Sequence, residues 1–122
     1  MNNGKFKIPC NKKSFFRRWL IITKPFHKLR PRQISILTEL LYHYDMLKDD
    51  YEDEDLLWKT VFDYETKVKI RNDLKIEDHI IQNNLTILRQ SGIIKDNKIV
   101  SKYLPKIVNG KYKLEFEFII NG

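Results

Sequence analysis

Residues 74–100 place the tightest constraint on how this chain can fold. They read LKIEDHIIQNNLTILRQSGIIKDNKIV. Apolar residues recur every three or four positions in the first half of the stretch, which predicts a helix over 77–91. Gly92 follows at the point where a left-handed residue would end that helix. The next residues, 93–100 (IIKDNKIV), predict a tight β-hairpin with Asp-Asn at its tip.

The rest of the chain supplies elements that would complete a compact domain around this stretch. Helical apolar spacing after Pro31 predicts a long amphipathic helix. Near the C-terminus, apolar residues alternate with glutamates, which predicts a strand with one buried face. The predicted elements are a basic extended arm over 1–13, a short helix capped by Ser14, a scaffold helix over 31–47, an acidic loop over 48–55, a short strand or half-turn over 56–63, a second helix over 64–75, a linker over 101–110 and a strand over 111–120.

The helix order and the terminal hairpin together predict the fold class. A scaffold helix, a second helix and a "recognition" helix that leads into a hairpin are the elements of a winged helix-turn-helix. We therefore predict an α+β winged helix-turn-helix domain over 14–122. The N-terminal basic arm precedes it, and the hairpin with the strand over 111–120 forms its wing.

The net charge of +7 is unevenly distributed along the chain. Residues 1–33 contain ten Lys/Arg and no Asp/Glu, whereas residues 34–122 contain 13 Lys/Arg and 16 Asp/Glu, a balance of −3. Interleaved aromatic residues suit phosphate binding with base stacking, a membrane-surface helix or docking on an acidic neighbour. We predict that the aromatics complete the core and that the charges face an anionic partner. The predicted arm contacts are Lys5, Lys7, Lys12, Lys13, Arg17 and Arg18.

The predicted helix over 77–91 has a polar face whose role is open to two interpretations. In a DNA reader, Asn and Gln side chains on this face would bond adenine edges in the major groove. Glu77 and Asp78 in the first turn would, however, repel the phosphates that flank the groove, so the face also suits a protein partner. The residues of this face are His79, Gln82, Asn83, Thr86, Arg89 and Gln90, with Lys95 and Lys98 on the wing.

The sequence favours neither catalysis nor metal binding. Its three histidines fall in different elements, and Cys10 is the only cysteine. The acidic run over 49–55 lacks the glycine and the distal glutamate of a calcium loop. Apolar runs fall far short of the roughly 20 residues that span a bilayer. We therefore expect no enzyme activity, no cofactor, no metal, no membrane partner and a soluble protein.

Three parts of the sequence carry a resemblance to a known group of proteins. The stretches FFRRWLIITKPFHKLRPRQISILTELLYH, LKIEDHIIQNNLTILRQSGIIKDNKIVSKYLPKI and KLEFEFII resemble small winged-helix proteins of tailed bacteriophages of Bacteroidetes-type hosts, including the crAss-like phages. The resemblance covers about residues 14–120. It implies the winged-helix fold and a viral setting, and it assigns no functional residue.

Two functions from different classes follow from these expectations. In the first, which we favour, the chain is a structural component of a phage particle, a small ring or adaptor subunit near the portal and tail. It would be made in the host cytoplasm, and it would form a homo-oligomer with other phage structural proteins as partners. In the second, it is a winged-helix DNA-binding protein, a transcription regulator or replication accessory that contacts duplex DNA.

Overall fold

A computed structural model describes residues 4–122 of the chain. Within these residues the fold is mostly helical, with one small antiparallel sheet, so it is α+β in the broad sense. The elements are α1 (Lys12–Ile22), α2 (Lys24–His27), α3 (Pro31–Leu47), α4 (Glu54–Val61), α5 (Tyr64–Leu74), α6 (Asp78–Gln90), β1 (Ile94–Lys95) and β2 (Lys98–Ile99), with 3-10 turns over Lys48–Asp50 and Ser101–Tyr103.

Helix α3 is the central element of the core. It packs against α1, α4, α5 and α6, and the predicted apolar face of Ile34, Leu37 and Leu41 is buried. Ile36 and Leu40, on neighbouring sides of the helix, are also buried. A helix that is apolar on several sides can be surrounded by other helices. The prediction of a scaffold helix over 31–47 is confirmed.

Helix α1 covers one side of α3 with aromatic residues. Phe16 and Trp19 are buried, which confirms that aromatics of the basic region belong to the core. The helix begins at Lys12 rather than at Ser14, because the Asn11 side chain accepts a hydrogen bond from the Ser14 backbone N–H at 2.9 Å. The prediction of Ser14 as the cap is therefore wrong, and the last two residues of the predicted arm over 1–13 are helical.

The prediction of a short strand or half-turn over 56–63 is also wrong, because residues 56–61 belong to helix α4. Asp53 caps it: one carboxylate oxygen accepts the backbone N–H groups of Asp55 and Leu56, at 2.9 and 3.4 Å. Trp58 and Val61 then lie one turn apart on the buried face. The acidic loop therefore has a local structural role, since its last residues start a helix.

The stretch over 74–100 folds as predicted. Helix α6 ends in a turn in which the N–H groups of Gly92 and Ile93 donate to carbonyls of the last helical turn, with Gly92 at φ +82°. This is the glycine-terminated helix end that the sequence predicts. Asp96 and Asn97 both have positive φ and join β1 to β2, as a two-residue hairpin turn requires.

The C-terminal residues do not form the predicted strand over 111–120. Val108 and Lys111 form an isolated bridge across Asn109–Gly110, and residues 112–122, here called the C-terminal segment, have no regular secondary structure. Continuing the bridge by one more hydrogen-bonded pair would place Lys113 opposite another lysine, at position 106. Like charges in that arrangement destabilise a ladder. The sheet within residues 4–122 therefore consists of the hairpin β1–β2, and the predicted third strand is not part of it.

Candidate interaction surfaces

Two of the six predicted arm contacts are used inside the protein. The ammonium group of Lys12 lies 2.8 Å from a carboxylate oxygen of Asp45, and that of Lys13 lies 2.8 Å from a carboxylate oxygen of Glu39. Asp45 and Glu39 are both on α3, and the side chains of these two acids are buried. These lysines therefore tie α1 to α3 and are poorly placed to neutralise an external anion.

The pKa values of the two buried carboxylates are shifted in opposite directions. Burial raises the pKa of Glu39, and the hydrogen bond from Lys13 offsets only part of that rise. Burial also acts to raise the pKa of Asp45, but Lys12 and Lys48 both bind this carboxylate and bring its pKa below the ordinary value. Asp45 therefore has two cationic partners, whereas Lys13 is the principal one for Glu39.

The other four predicted arm contacts are exposed to solvent. They are spread over the segment before α1 and the outer face of α1, and none of the four forms an ion pair within residues 4–122. Arg17 donates a long hydrogen bond of 3.4 Å to the hydroxyl of Ser35 on α3. The four exposed residues are Lys5, Lys7, Arg17 and Arg18.

The predicted polar face of α6 points to solvent. Its six residues are exposed or, for Gln82, half-buried. Ile87 interrupts this polar face and is 39% exposed. The structure brings these residues together as one surface, as the helical spacing predicts; His79, Asn83, Thr86, Arg89 and Gln90 are the exposed members.

Charges next to this face are largely paired within the protein. Asp78 lies 3.4 Å from the guanidinium group of Arg71, and Glu77 lies 3.2 Å from the His79 ring. In the β1–β2 hairpin, Lys98 lies 2.9 Å from Asp55 at the start of α4. Lys95 is exposed. Asp78 and Lys98 therefore each have an oppositely charged partner within the chain.

The position of α6 depends on a buried polar link that the sequence did not single out. Gln33 in the first turn of α3 accepts the backbone N–H of Arg30 at 2.9 Å and donates to the Asn84 side chain at 3.2 Å. Asn84 in turn donates to the Ile80 carbonyl at 2.7 Å. The one available signal was Asn84 itself, a polar residue next to the apolar face of the helix.

Removing this link should destabilise the fold. We expect Asn84→Ala to lower the free energy of unfolding by about 1–3 kcal/mol, because it leaves the buried side-chain NH2 group of Gln33 without its acceptor. The adjacent Asn83→Ala is the matched control, since Asn83 is exposed and should change the free energy by less than about 0.5 kcal/mol. Urea unfolding of both variants measures the difference. Equal effects would show that the link does not hold α6.

The C-terminal segment presents five exposed large apolar side chains. Its first residue is anchored: the Tyr112 ring lies 5.4 Å from that of Phe15 and 6.4 Å from that of Trp19. Beyond it the three side chains that were predicted to line a buried strand face are open to solvent: Leu114 (37% exposed), Phe116 (50%) and Phe118 (86%). Ile119 (78%) and Ile120 (87%), which follow them, are exposed as well.

Comparisons with other proteins do not extend this description. No known protein family, curated protein or solved structure matches the chain. Within residues 4–122, no three His, Cys, Asp or Glu residues are grouped so as to hold a metal ion. No helix in the same range is long and apolar enough to cross a bilayer. The resemblance to phage proteins therefore stays a prediction.

Proposed function

We propose that this chain is a non-enzymatic building block of a larger protein assembly. The observation that carries the proposal is the C-terminal segment, where five large apolar side chains are exposed: three of them alternate with glutamates over 114–118, and Ile119 and Ile120 follow directly. Monomeric proteins rarely expose large contiguous apolar patches, whereas such surfaces commonly mark protein interaction sites. A segment anchored at Tyr112 and apolar beyond it suits addition to a partner's strand.

The distribution of charge supports the same role. Lys12 and Lys13 pair with carboxylates of α3, and Lys98 pairs with Asp55. Fewer cations are therefore available to phosphates than the sequence suggests. Because its sequence resembles small phage proteins, we propose that the assembly is a tailed-phage particle, with the chain as a small ring or adaptor subunit near the portal and tail.

For the fold, we propose that α3, α5, α6 and the β1–β2 hairpin correspond to a winged helix. The short turn between α5 and α6 and the direct passage from α6 into the hairpin support this assignment. The wing would lack a third strand in the isolated chain. A partner strand in the assembly could supply it.

DNA binding is the second candidate, and one observation favours it. The polar face of α6 is exposed and contains Asn83 and Gln90, residue types that bond adenine edges. Lys5, Lys7, Arg17 and Arg18 are exposed as well and could contact phosphates.

One set of measurements separates the two candidates. We expect the full chain to form a discrete oligomer in light scattering, and a variant that ends at Tyr112 to be monomeric, because it lacks the exposed apolar residues. Circular dichroism should show that the truncated variant keeps its helices, since residues 113–122 belong to no helix or strand. Duplex DNA of random sequence should bind only at low salt, and Asn83→Ala should not change this binding.

The opposite pattern would support the DNA-binding role. A full chain that stays monomeric, binds duplex DNA at physiological salt and loses affinity several-fold on Asn83→Ala would overturn the building-block proposal. Thr86→Ala, on the same face, should then show a similar loss. Lys59→Ala, an exposed lysine of α4 outside this face, serves as a control for nonspecific loss of charge.

A further inference from the structure

The isolated bridge at Lys111 fixes the direction of hydrogen bonding for any strand that continues from it. Lys111 exchanges both of its backbone hydrogen bonds with Val108, at 2.9 and 3.0 Å. Neighbouring residues of a strand direct their N–H and C=O groups to opposite edges. In a strand continued from Lys111, residues 112, 114 and 116 therefore direct theirs away from Val108. No backbone–backbone hydrogen bond within residues 4–122 uses the groups of residues 112–122.

In a strand continued from Lys111, alternate side chains would form one charged face and one apolar face. The apolar face contains Tyr112, Leu114 and Phe116. The charged face changes sign along the chain, because two lysines come first and two glutamates follow: Lys111, Lys113, Glu115 and Glu117. A strand with this order of charges is complementary to an antiparallel copy of itself.

We propose that residues 111–117 pair with the same residues of a second copy of this chain as an antiparallel two-stranded ribbon centred on Leu114. Leu114 lies opposite its own copy, and Tyr112 lies opposite Phe116. On the other face, Lys113 lies opposite Glu115, and Lys111 opposite residue 117. The inference rests on the building-block role and names the partner of the C-terminal segment.

The charges select this register over its neighbours. An antiparallel ribbon centred on Lys113, Glu115 or Glu117 places that charge opposite itself. One centred on Phe116 places the two glutamates opposite each other, and a parallel in-register pair matches every charge with its own kind. Directly opposed like charges destabilise strand pairs, whereas opposite charges stabilise them. The register centred on Leu114 has four opposite-charge pairs by symmetry and no like-charge pair.

The backbone geometry agrees with the same register. The pairs Leu114–Leu114 and Tyr112–Phe116 become the hydrogen-bonded pairs, and they use the edge that faces away from Val108. The lysine–glutamate pairs then fall at non-hydrogen-bonded positions, where opposite side chains come closest. Lys111 keeps both hydrogen bonds to Val108, so the ribbon forms without breaking the turn.

The ribbon also covers exposed apolar surface. Tyr112 already packs against Phe15 of α1, so Phe116 of the second copy is placed beside Tyr112 and over α1. In the single chain Phe116 is half exposed and Leu114 is 37% exposed. A two-stranded ribbon alone is marginally stable in water, and packing its apolar face against α1 of each copy provides the additional support.

A pair of charge reversals tests both the partner and the register. We expect Lys113→Glu and Glu115→Lys each to weaken self-association by about ten-fold, because each substitution creates like-charge pairs at the 113–115 positions. Mixing the two variants should restore association as a heterodimer, since each lysine then faces a glutamate of the other copy. Light scattering measures the masses, and native mass spectrometry identifies the heterodimer. The double variant Lys113→Glu/Glu115→Lys should associate as strongly as the natural chain.

Charge reversals elsewhere provide matched controls. Glu65→Lys and Lys69→Glu alter exposed residues of α5 and should leave association unchanged. A chain that is monomeric at its highest soluble concentration overturns the inference. An oligomer that is unaffected by both charge reversals, or that does not form again when the two variants are mixed, also overturns the inference. The building-block role would then stand with a different contact between copies. Duplex DNA binding through α6 is the result that would overturn the building-block role itself.

Discussion

Replacing Trp58 by alanine should lower the free energy of unfolding by about 3–5 kcal/mol. Trp58 is 1% exposed, and its ring stacks on that of Tyr44 in α3, with centroids 4.4 Å apart. It also lies 6.1 Å from Phe62. Removing the indole therefore opens a cavity between α4 and α3 in addition to the loss of buried apolar area. The expected loss is a large fraction of the stability of a small domain.

Urea unfolding followed by circular dichroism measures this effect. Because Trp58→Ala could leave too little folded protein to measure, Trp58→Phe is the second variant, and its expected loss is about 1–2 kcal/mol. Leu56→Ala in the same helix is the control, since Leu56 is 49% exposed and its loss should cost less than about 1 kcal/mol. Equal losses at positions 56 and 58 would contradict the packing of α4 described here.

The same helix shows where sequence patterns were insufficient. The residues LLWKTVFD contain several types that favour strands, and eight residues are too few to separate a short helix from a short strand by periodicity. The deciding signal was Asp53, whose carboxylate caps the first turn. That residue lies in an acidic run, where a single capping aspartate is hard to distinguish from its neighbours.

Longer sequence patterns correctly predicted an element where the apolar residues of the pattern are buried within the same chain. The scaffold helix α3, the helices α5 and α6, and the hairpin at Asp96–Asn97 follow the sequence, because spacing, end residues and turn residues agree in each. The strand over 111–120 had an equally clear alternating pattern. This strand does not form in the single chain for a different reason. A strand needs a neighbouring strand to pair with, and a sequence pattern does not say on which chain that neighbour lies.

The sequence predicted which polar and charged residues are on the surface, but not which of the charged side chains are paired within the protein. The sequence correctly placed the polar face of α6 on the surface. It did not reveal that Lys12 and Lys13 bind Asp45 and Glu39, which lie more than 25 positions further along the chain. Ion pairs between distant residues depend on the packing of α1 against α3, so their existence follows only from the assembled fold.

Replacing Lys13 by alanine should cost about 2 kcal/mol at neutral pH. Glu39 is 2% exposed, and the loss of Lys13 leaves its carboxylate buried without its main partner, which is strongly destabilising. Lys13 is itself 42% exposed, so solvent screens the pair and the expected cost lies below that of a fully buried one. Urea unfolding at pH 7 measures it.

Lys12→Ala is a closely matched control for this prediction. The two lysines are adjacent in α1, and each binds a buried carboxylate of α3 at 2.8 Å. Asp45 keeps a second partner in Lys48 at 3.0 Å, so the loss of Lys12 should cost less than about 1 kcal/mol. Similar losses in the two variants would show that the number of partners does not decide the effect.

The pH dependence of the Lys13→Ala effect has a definite sign. Burial raises the folded-state pKa of Glu39 above its ordinary value of 4.5, so the folded state binds more protons than the unfolded state between the two values. Stability from this group is therefore highest below pH 4.5 and falls as the pH rises through the folded-state pKa. Without Lys13 the folded-state pKa of Glu39 rises further, and the fall in stability between pH 4.5 and neutral pH becomes larger.

The difference in stability between the natural chain and Lys13→Ala should consequently be small near pH 4 and reach its full size at neutral pH. Glu39→Gln removes the titrating group, so adding Lys13→Ala to it should cost much less than in the natural chain and should show little dependence on pH. A penalty that stays constant from pH 4 to pH 7 would mean that lost packing of the lysine against the Tyr42 ring, 4.8 Å from its ammonium group, outweighs the buried charge.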